Sequence, residues 1–174
     1  MPTAGSPDRT QYVTAAEATS YHAARGNTAW TGTDDVKNAA LIRGSAAIDA
    51  KYGGKFTGQK TGERSQQLAW PRELWDGTYV TDQDGFDIMP DEIPQEICDA
   101  TCEAALRELV EPGSMLPDLE RGGAITGLKA GSVEIDYATN APAKTTFSII
   151  DGILSGLLGN VSTGGVVFAR AARA

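Results

Sequence analysis

Ile93-Pro-Gln-Glu-Ile-Cys-Asp-Ala-Thr-Cys-Glu-Ala-Ala-Leu-Arg-Glu-Leu-Val110 is the stretch on which the reading of the fold turns. Proline fits the first turn of a helix, where its missing N–H would be unbonded in any case. Behind it Ile97, Ala100 and Ala104, interleaved with Cys98, Ala105 and Leu109, recur at the spacing that puts side chains on one side of a helix. Pro112-Gly113 ends the pattern. A long amphipathic helix needs a partner face, and the chain offers others.

Upstream, Thr33-Asp34-Asp35 is a helix cap with acids in the first turn, and Ala40, Ala47, Leu41, Ile48 and Tyr52, begun by Val36, carry helical spacing as far as Gly53-Gly54. Thr14-Ala-Ala-Glu17 has capping-box spacing and predicts a short helix to about Arg25, stopped by Gly26. Downstream, Gly131-Ser-Val-Glu-Ile-Asp-Tyr137 alternates like a half-buried strand, with Ala124-Ile-Thr-Gly-Leu128 as hairpin partner. Phe147, Ile150, Ile153, Leu154 and Leu157 predict a short last helix. The expected fold is therefore mainly α: a small helical bundle with a short β-hairpin and extended arms at both ends. Residues 1–13 are expected as a flexible segment, 14–158 as the domain with its hairpin near 124–137, and 159–174 as a glycine-rich linker and an arm.

Two stretches lack helical periodicity. Residues 53–64, rich in Gly, Lys and Thr, read as an exposed basic loop in which Lys55, Lys60 and Arg64 could reach a neighbour. Residues 68–90 mix turn formers with Trp70, Trp75 and Tyr79, expected to anchor irregular structure on the helices.

At 174 residues, with 41% hydrophobic and 22% charged, the composition is that of a folded domain. The longest apolar run, residues 147–158, is too short for a membrane span and contains Asp151. The start, MPTAGSPDRT, carries no secretory signal pattern, so synthesis and residence in the cytoplasm are expected. The net charge of −8 is uneven: residues 73–120 hold 14 acids against a single base, Arg107, while both flanks are mildly basic. Such a face repels phosphates and argues against general DNA affinity, which depends on Lys and Arg displacing counterions.

Chemistry-bearing patterns are weak. The lone His22 has no G-x-S-x-G partner motif and is expected to be structural. Gly53 to Thr61 misses the phosphate-loop spacing by one residue. Asp82, Asp84 and Asp87 around Gly85 put Val80 where a calcium loop needs its first carboxylate. Cys98 and Cys102 stack on one helix face with no His nearby and are expected in the core. No catalytic, cofactor or metal site is expected, and no enzyme.

A more specific signal is the ordered set Ser65-Gln-Gln-Leu-Ala-Trp-Pro-Arg72, Asp84-Gly-Phe-Asp-Ile88, Ile93-Pro-Gln-Glu-Ile97 into Ala104-Ala-Leu-Arg-Glu-Leu109, and Lys129-Ala-Gly-Ser-Val-Glu-Ile-Asp-Tyr137. It resembles the head-to-tail connector (adaptor) proteins of tailed bacteriophages, over roughly residues 15–158, a family that also carries a DnaT-like single-stranded DNA-binding label. The resemblance implies a virion protein of the neck, forming a ring of about twelve copies that meets the portal on one side and a tail or stopper protein on the other. Gln67, Trp70, Pro71 and Arg72 carry the family motif, with Trp70 expected as a core anchor. Asp82, Asp84, Asp87, Asp91 and Glu92 would offer carboxylates along which duplex DNA slides without binding. Val166, Val167 and Phe168 beside Arg170 and Arg173 suit docking on another subunit or the portal. The competing expectation is a single-strand binder of the DnaT type, stacking bases on Trp30, Trp70, Trp75 and Tyr79.

Overall fold

In a computed structural model, residues 9–116, 127–130, 133–136 and 146–158 are described, with 127–130 and 133–136 given as backbone alone. Among the described residues four helices dominate: α1 (Ala15–Ala24), α2 (Asp34–Tyr52), α3 (Gln95–Val110) and α4 (Ser148–Leu154). Three antiparallel strand pairs accompany them: β1 (Gln59–Lys60) with β2 (Arg72–Glu73), β3 (Val80–Thr81) with β4 (Asp87–Ile88), and β5 (Gly127–Ala130) with β6 (Val133–Asp136). The mainly α class and the predicted hairpin stand. The two shorter pairs lie where the sequence suggested loop, because two-residue ladders leave no alternation to read.

The helix starts follow their caps. Thr14 and Glu17 close a reciprocal capping box, and Thr33 accepts from the Val36 amide. α2 packs mainly on α3. Gly44 makes this contact close: a Cβ there would stand 2.9 Å from the Ala105 amide nitrogen. Leu41, Ile48 and Tyr52 of α2 meet Ile97, Ala100 and Ala104 of α3 in one core, which Ile150 and Leu154 of α4 complete. Each fully buried aliphatic side chain contributes roughly 1.5–3 kcal/mol by removal from water. The Tyr52 hydroxyl donates to Asp151 at 2.5 Å and ties α2 to α4.

The stripe on α3 also hides two carboxylates, Glu103 and Glu108. Both are satisfied, as buried charges must be. Glu108 accepts from the Gly113 and Met115 amides at 2.8 and 3.0 Å and pairs with Arg43 at 3.0 Å, fastening the turn that ends the helix. Glu103 accepts from the Tyr21 hydroxyl and pairs with Arg107 at 3.2 Å.

Four expectations are corrected. Residues 9–13 are not a loose lead-in: Tyr12 and Val13 are core residues, and the Tyr12 amide donates to Ser45. Val36 faces outward, half exposed, in the first turn of α2. Residues 53–64 are not a plain exposed loop, since Phe56 is buried and pairs with Leu158 through a β-bridge. Trp75 and Tyr79 are exposed, so of the three expected anchors Trp70 is the buried one. The arms beyond residues 8 and 158 lie outside the described residues.

Candidate interaction surface

The surface is built on a knot of buried polar groups at residues 66–72. Gln66, fully buried, donates from Nε2 to the Leu68 and Pro71 carbonyls at 2.9 and 3.0 Å, while its Oε1 accepts from the Gly62 amide. Arg72 donates to the carbonyls of Thr57 (2.7 Å), Ala69 (3.2 Å), Phe56 (3.4 Å) and Gly58. One guanidinium thus binds two chain segments through backbone oxygens, which its fork of five N–H donors suits. Burial lowers its pKa, against which Tyr12 and Asp49 act. Gly58 has φ +75°, and a Cβ there would meet the Glu73 carbonyl oxygen, so only glycine lets β1 lie this close to β2.

The knot is pinned to α2. The Tyr12 hydroxyl accepts from the Trp70 amide at 3.1 Å and donates to Asp49 at 2.5 Å, while the other Asp49 oxygen accepts from the Ala69 amide at 2.8 Å. Burial raises the pKa of Asp49, opposed by these two hydrogen bonds, and raises that of Tyr12. Trp70, 1% exposed and joined to Pro71 by a cis bond, packs edge-on against Phe56.

From this base residues 74–92 continue as a ribbon. A turn at 74–78 closes with the Leu74 amide on the Thr78 carbonyl at 2.9 Å, and Asp76 accepts from Thr78, which holds its carboxyl below the usual range. In β3–β4 Val80 opposes Ile88 on the inner face, and both are buried. Thr81 opposes Asp87 on the outer face, which by strand alternation also takes Tyr79 and Met89. Asp82 closes the tip by accepting from the Phe86 amide at 2.8 Å.

The exposed side chains of this ribbon differ from those of the rest of the molecule. Nine large hydrophobic side chains are exposed among the described residues, and four of them lie here: Trp75 (81%), Phe86 (70%), Tyr79 (43%) and Met89. They include all three exposed aromatics. Asp76, Asp84, Asp87, Asp91 and Glu92 are exposed among them, Asp82 is half-buried, and residues 73–106 contain no Lys or Arg. Aromatic area within uncompensated negative charge favours a partner that is apolar and cationic and disfavours phosphate.

The other predicted site residues scatter. Lys55 and Arg64 are exposed, but Lys60 turns inward, its Nζ donating to the Gln66 and Gln67 carbonyls. Within the motif, Gln67 is exposed and its neighbour Gln66 does the structural work. Val166, Val167, Phe168, Arg170 and Arg173 lie outside the described residues. Phe86 is the surface residue that sequence reading missed, and its place at a hairpin tip beside Gly85 was the available signal.

The remaining chemistry-bearing groups are packed away. His22 is buried between Tyr21 and Trp30, accepts at Nδ1 from Asn27 at 3.0 Å, and has its pKa lowered chiefly by burial. Burial pushes the Cys98 thiol up to about 11 and the Cys102 thiol up to about 12, so neither supplies thiolate readily. Among the described residues no three His, Cys, Asp or Glu side chains gather as metal ligands, and no helix is long and apolar enough to cross a membrane.

No curated protein and no solved structure matches the chain. One family model matches residues 2–174, nearly the whole length, and its description names single-stranded DNA binding, not a phage connector. The chain belongs to the family described as "Putative DnaT-like ssDNA binding protein".

Proposed function

We propose that this protein is a ring-forming head-to-tail adaptor of a tailed-phage neck. About twelve copies would sit between the portal and a tail or stopper protein and give duplex DNA a passage without gripping it. Catalysis, cofactor and metal have no part in this reading. The observation that carries it is the ribbon at residues 74–92, whose exposed aromatics stand in a stretch without a single Lys or Arg. Single-strand binders combine stacking aromatics with a basic groove. Here the aromatics are present and the cations are absent, which suits protein contact. Exposed Lys55 and Arg64, and the arm residues Val166, Val167, Phe168, Arg170 and Arg173, supply the cationic and apolar surfaces that a neighbouring subunit or the portal would use.

The family's description favours the second reading, a DnaT-like protein on single-stranded DNA. Of the aromatics that reading would use, Trp30 and Trp70 are buried, which leaves Trp75 and Tyr79, joined by Phe86. Stacking contributes roughly 1–3 kcal/mol per base, and six nearby carboxyl groups would oppose it.

Native mass spectrometry over a range of protein concentrations, with and without a single-stranded oligonucleotide, separates the two. A closed oligomer near twelve copies that ignores the oligonucleotide is expected, either alone or on addition of portal. Tight oligonucleotide complexes that weaken steeply with salt would replace the adaptor by the single-strand binder.

A further inference from the structure

The ribbon's exposed aromatics have no partner among the described residues, and the chain itself holds a segment of matching chemistry. Residues 166–174, Val-Val-Phe-Ala-Arg-Ala-Ala-Arg-Ala, combine three bulky apolar side chains with two arginines and no acid. Trp75, Tyr79, Phe86 and Met89, set among Asp76, Asp84, Asp87 and Asp91, are the complement in both shape class and charge. Arginine adds stacking on aromatic faces, which an acid-rimmed Trp or Tyr favours.

The last described residues run beside the ribbon: the Gln83 amide donates to the Gly156 carbonyl at 2.9 Å, and the Gln83 side chain donates to the Ser155 carbonyl at 2.6 Å and to that of Leu158 at 3.4 Å. From Leu158 to Val166, eight residues span up to about 26 Å when extended, more than the length of so short a hairpin. A segment tethered this closely meets the ribbon at an effective concentration in the millimolar range, so even a weak contact is populated.

We propose that residues 166–174 dock on the exposed aromatic and acidic side chains of the 74–92 ribbon of the same chain. In the free protein this contact covers its most adhesive surface, and a partner must displace the segment to reach Trp75 and Phe86. The inference is independent of whether that partner is a ring neighbour or a nucleic acid, because it concerns the monomer alone.

Quenching of tryptophan fluorescence by acrylamide tests it, since Trp30 and Trp70 are buried and Trp75 dominates the accessible signal. A Trp75→Phe control identifies that signal. In the monomer, Trp75 is expected to be protected in the full chain at every protein concentration, and to lose this protection when residues 165–174 are deleted. Adding a peptide of residues 165–174 to the truncated protein should restore it. The full-length double variant Arg170→Glu/Arg173→Glu, which keeps the apolar residues, should lose protection as well, and so serves even where truncation impairs folding. Equal quenching of the full chain, the truncated chain and the double variant would overturn the proposal. So would protection that grows with protein concentration alongside a rise in mass, which would assign the segment to a second copy.

Discussion

Trp70 and Trp75 are five residues apart and share a tryptophan's capacity to bury area, yet one is 1% exposed and the other 81%. Around Trp70 the backbone is held by side chains: its amide reaches Tyr12, the Ala69 amide reaches Asp49, and Arg72 collects four carbonyls, while the buried indole Nε1 has no partner among the described residues. Around Trp75 the backbone is closed into a small turn, and the indole faces solvent among carboxylates. The knot leads into a ribbon whose inner side, Val80 and Ile88, joins the core, while its exposed aromatics are where the molecule has surface to spare for a partner. The lesson is that a cluster of aromatics in sequence is not one site. The hydrogen bonds around each ring decide whether it serves the fold or the interface.

The contrast can be broken at its strongest point first. Trp70→Ala is expected to cost about 3–5 kcal/mol, as for other buried large aromatics, read as a fall in the denaturant midpoint. Next, Arg72→Met should destabilise by about 3 kcal/mol, because carbonyls of residues 56–58 and 69 lose their donor inside the protein. If Arg72→Met unfolded no more readily than the parent, the knot would not be what holds the ribbon.

Asp49→Asn should cost about 1–2 kcal/mol at neutral pH, since an amide cannot accept from both Tyr12 and Ala69. It should also change the pH dependence. Burial raises the folded-state pKa of Asp49 above its unfolded value, so the folded protein binds the proton more tightly. Stability from this group therefore rises as pH falls from the raised pKa to the ordinary one near 3.8. Glu17 works the other way: its capping bonds to Thr14 lower its pKa, and what it contributes is lost as pH falls through that lowered value. Comparing urea melts of Asp49→Asn and Glu17→Gln with the parent between neutral and acid pH would show slopes of opposite sign.

Trp75→Ala should have the smallest effect on stability, within about 0.5 kcal/mol, while weakening whatever contact the ribbon makes. A large loss of stability in this variant would erase the distinction between the two tryptophans.

Much of the helical frame was legible. The caps at Thr14 and Thr33, the proline opening α3, and the apolar spacing of Leu41, Ile48, Ile97 and Ile150 are local signals read over one or two turns. The hairpin at 127–136 showed through its alternation. The site was less legible: Gln66 and Gln67 are the same residue type side by side, and only the path of residues 61–71 decides that Gln66 turns inward. Glu103 and Glu108 sit within an apolar stripe and would be written off as exposed by composition.

What the sequence alone determined is therefore the part governed by near neighbours: helix starts and stops, the mainly α class, the uneven charge, and membership of a family whose model spans residues 2–174. What only the tertiary structure decided is which polar and aromatic groups are inside. Tyr12 reaches Asp49 and Trp70 across 37 and 58 residues of chain, and Arg43 reaches Glu108 across 65. Burial depends on such distant pairings, because a buried polar group is tolerated only where the fold brings it a partner, and no short window of sequence contains both halves of the bond.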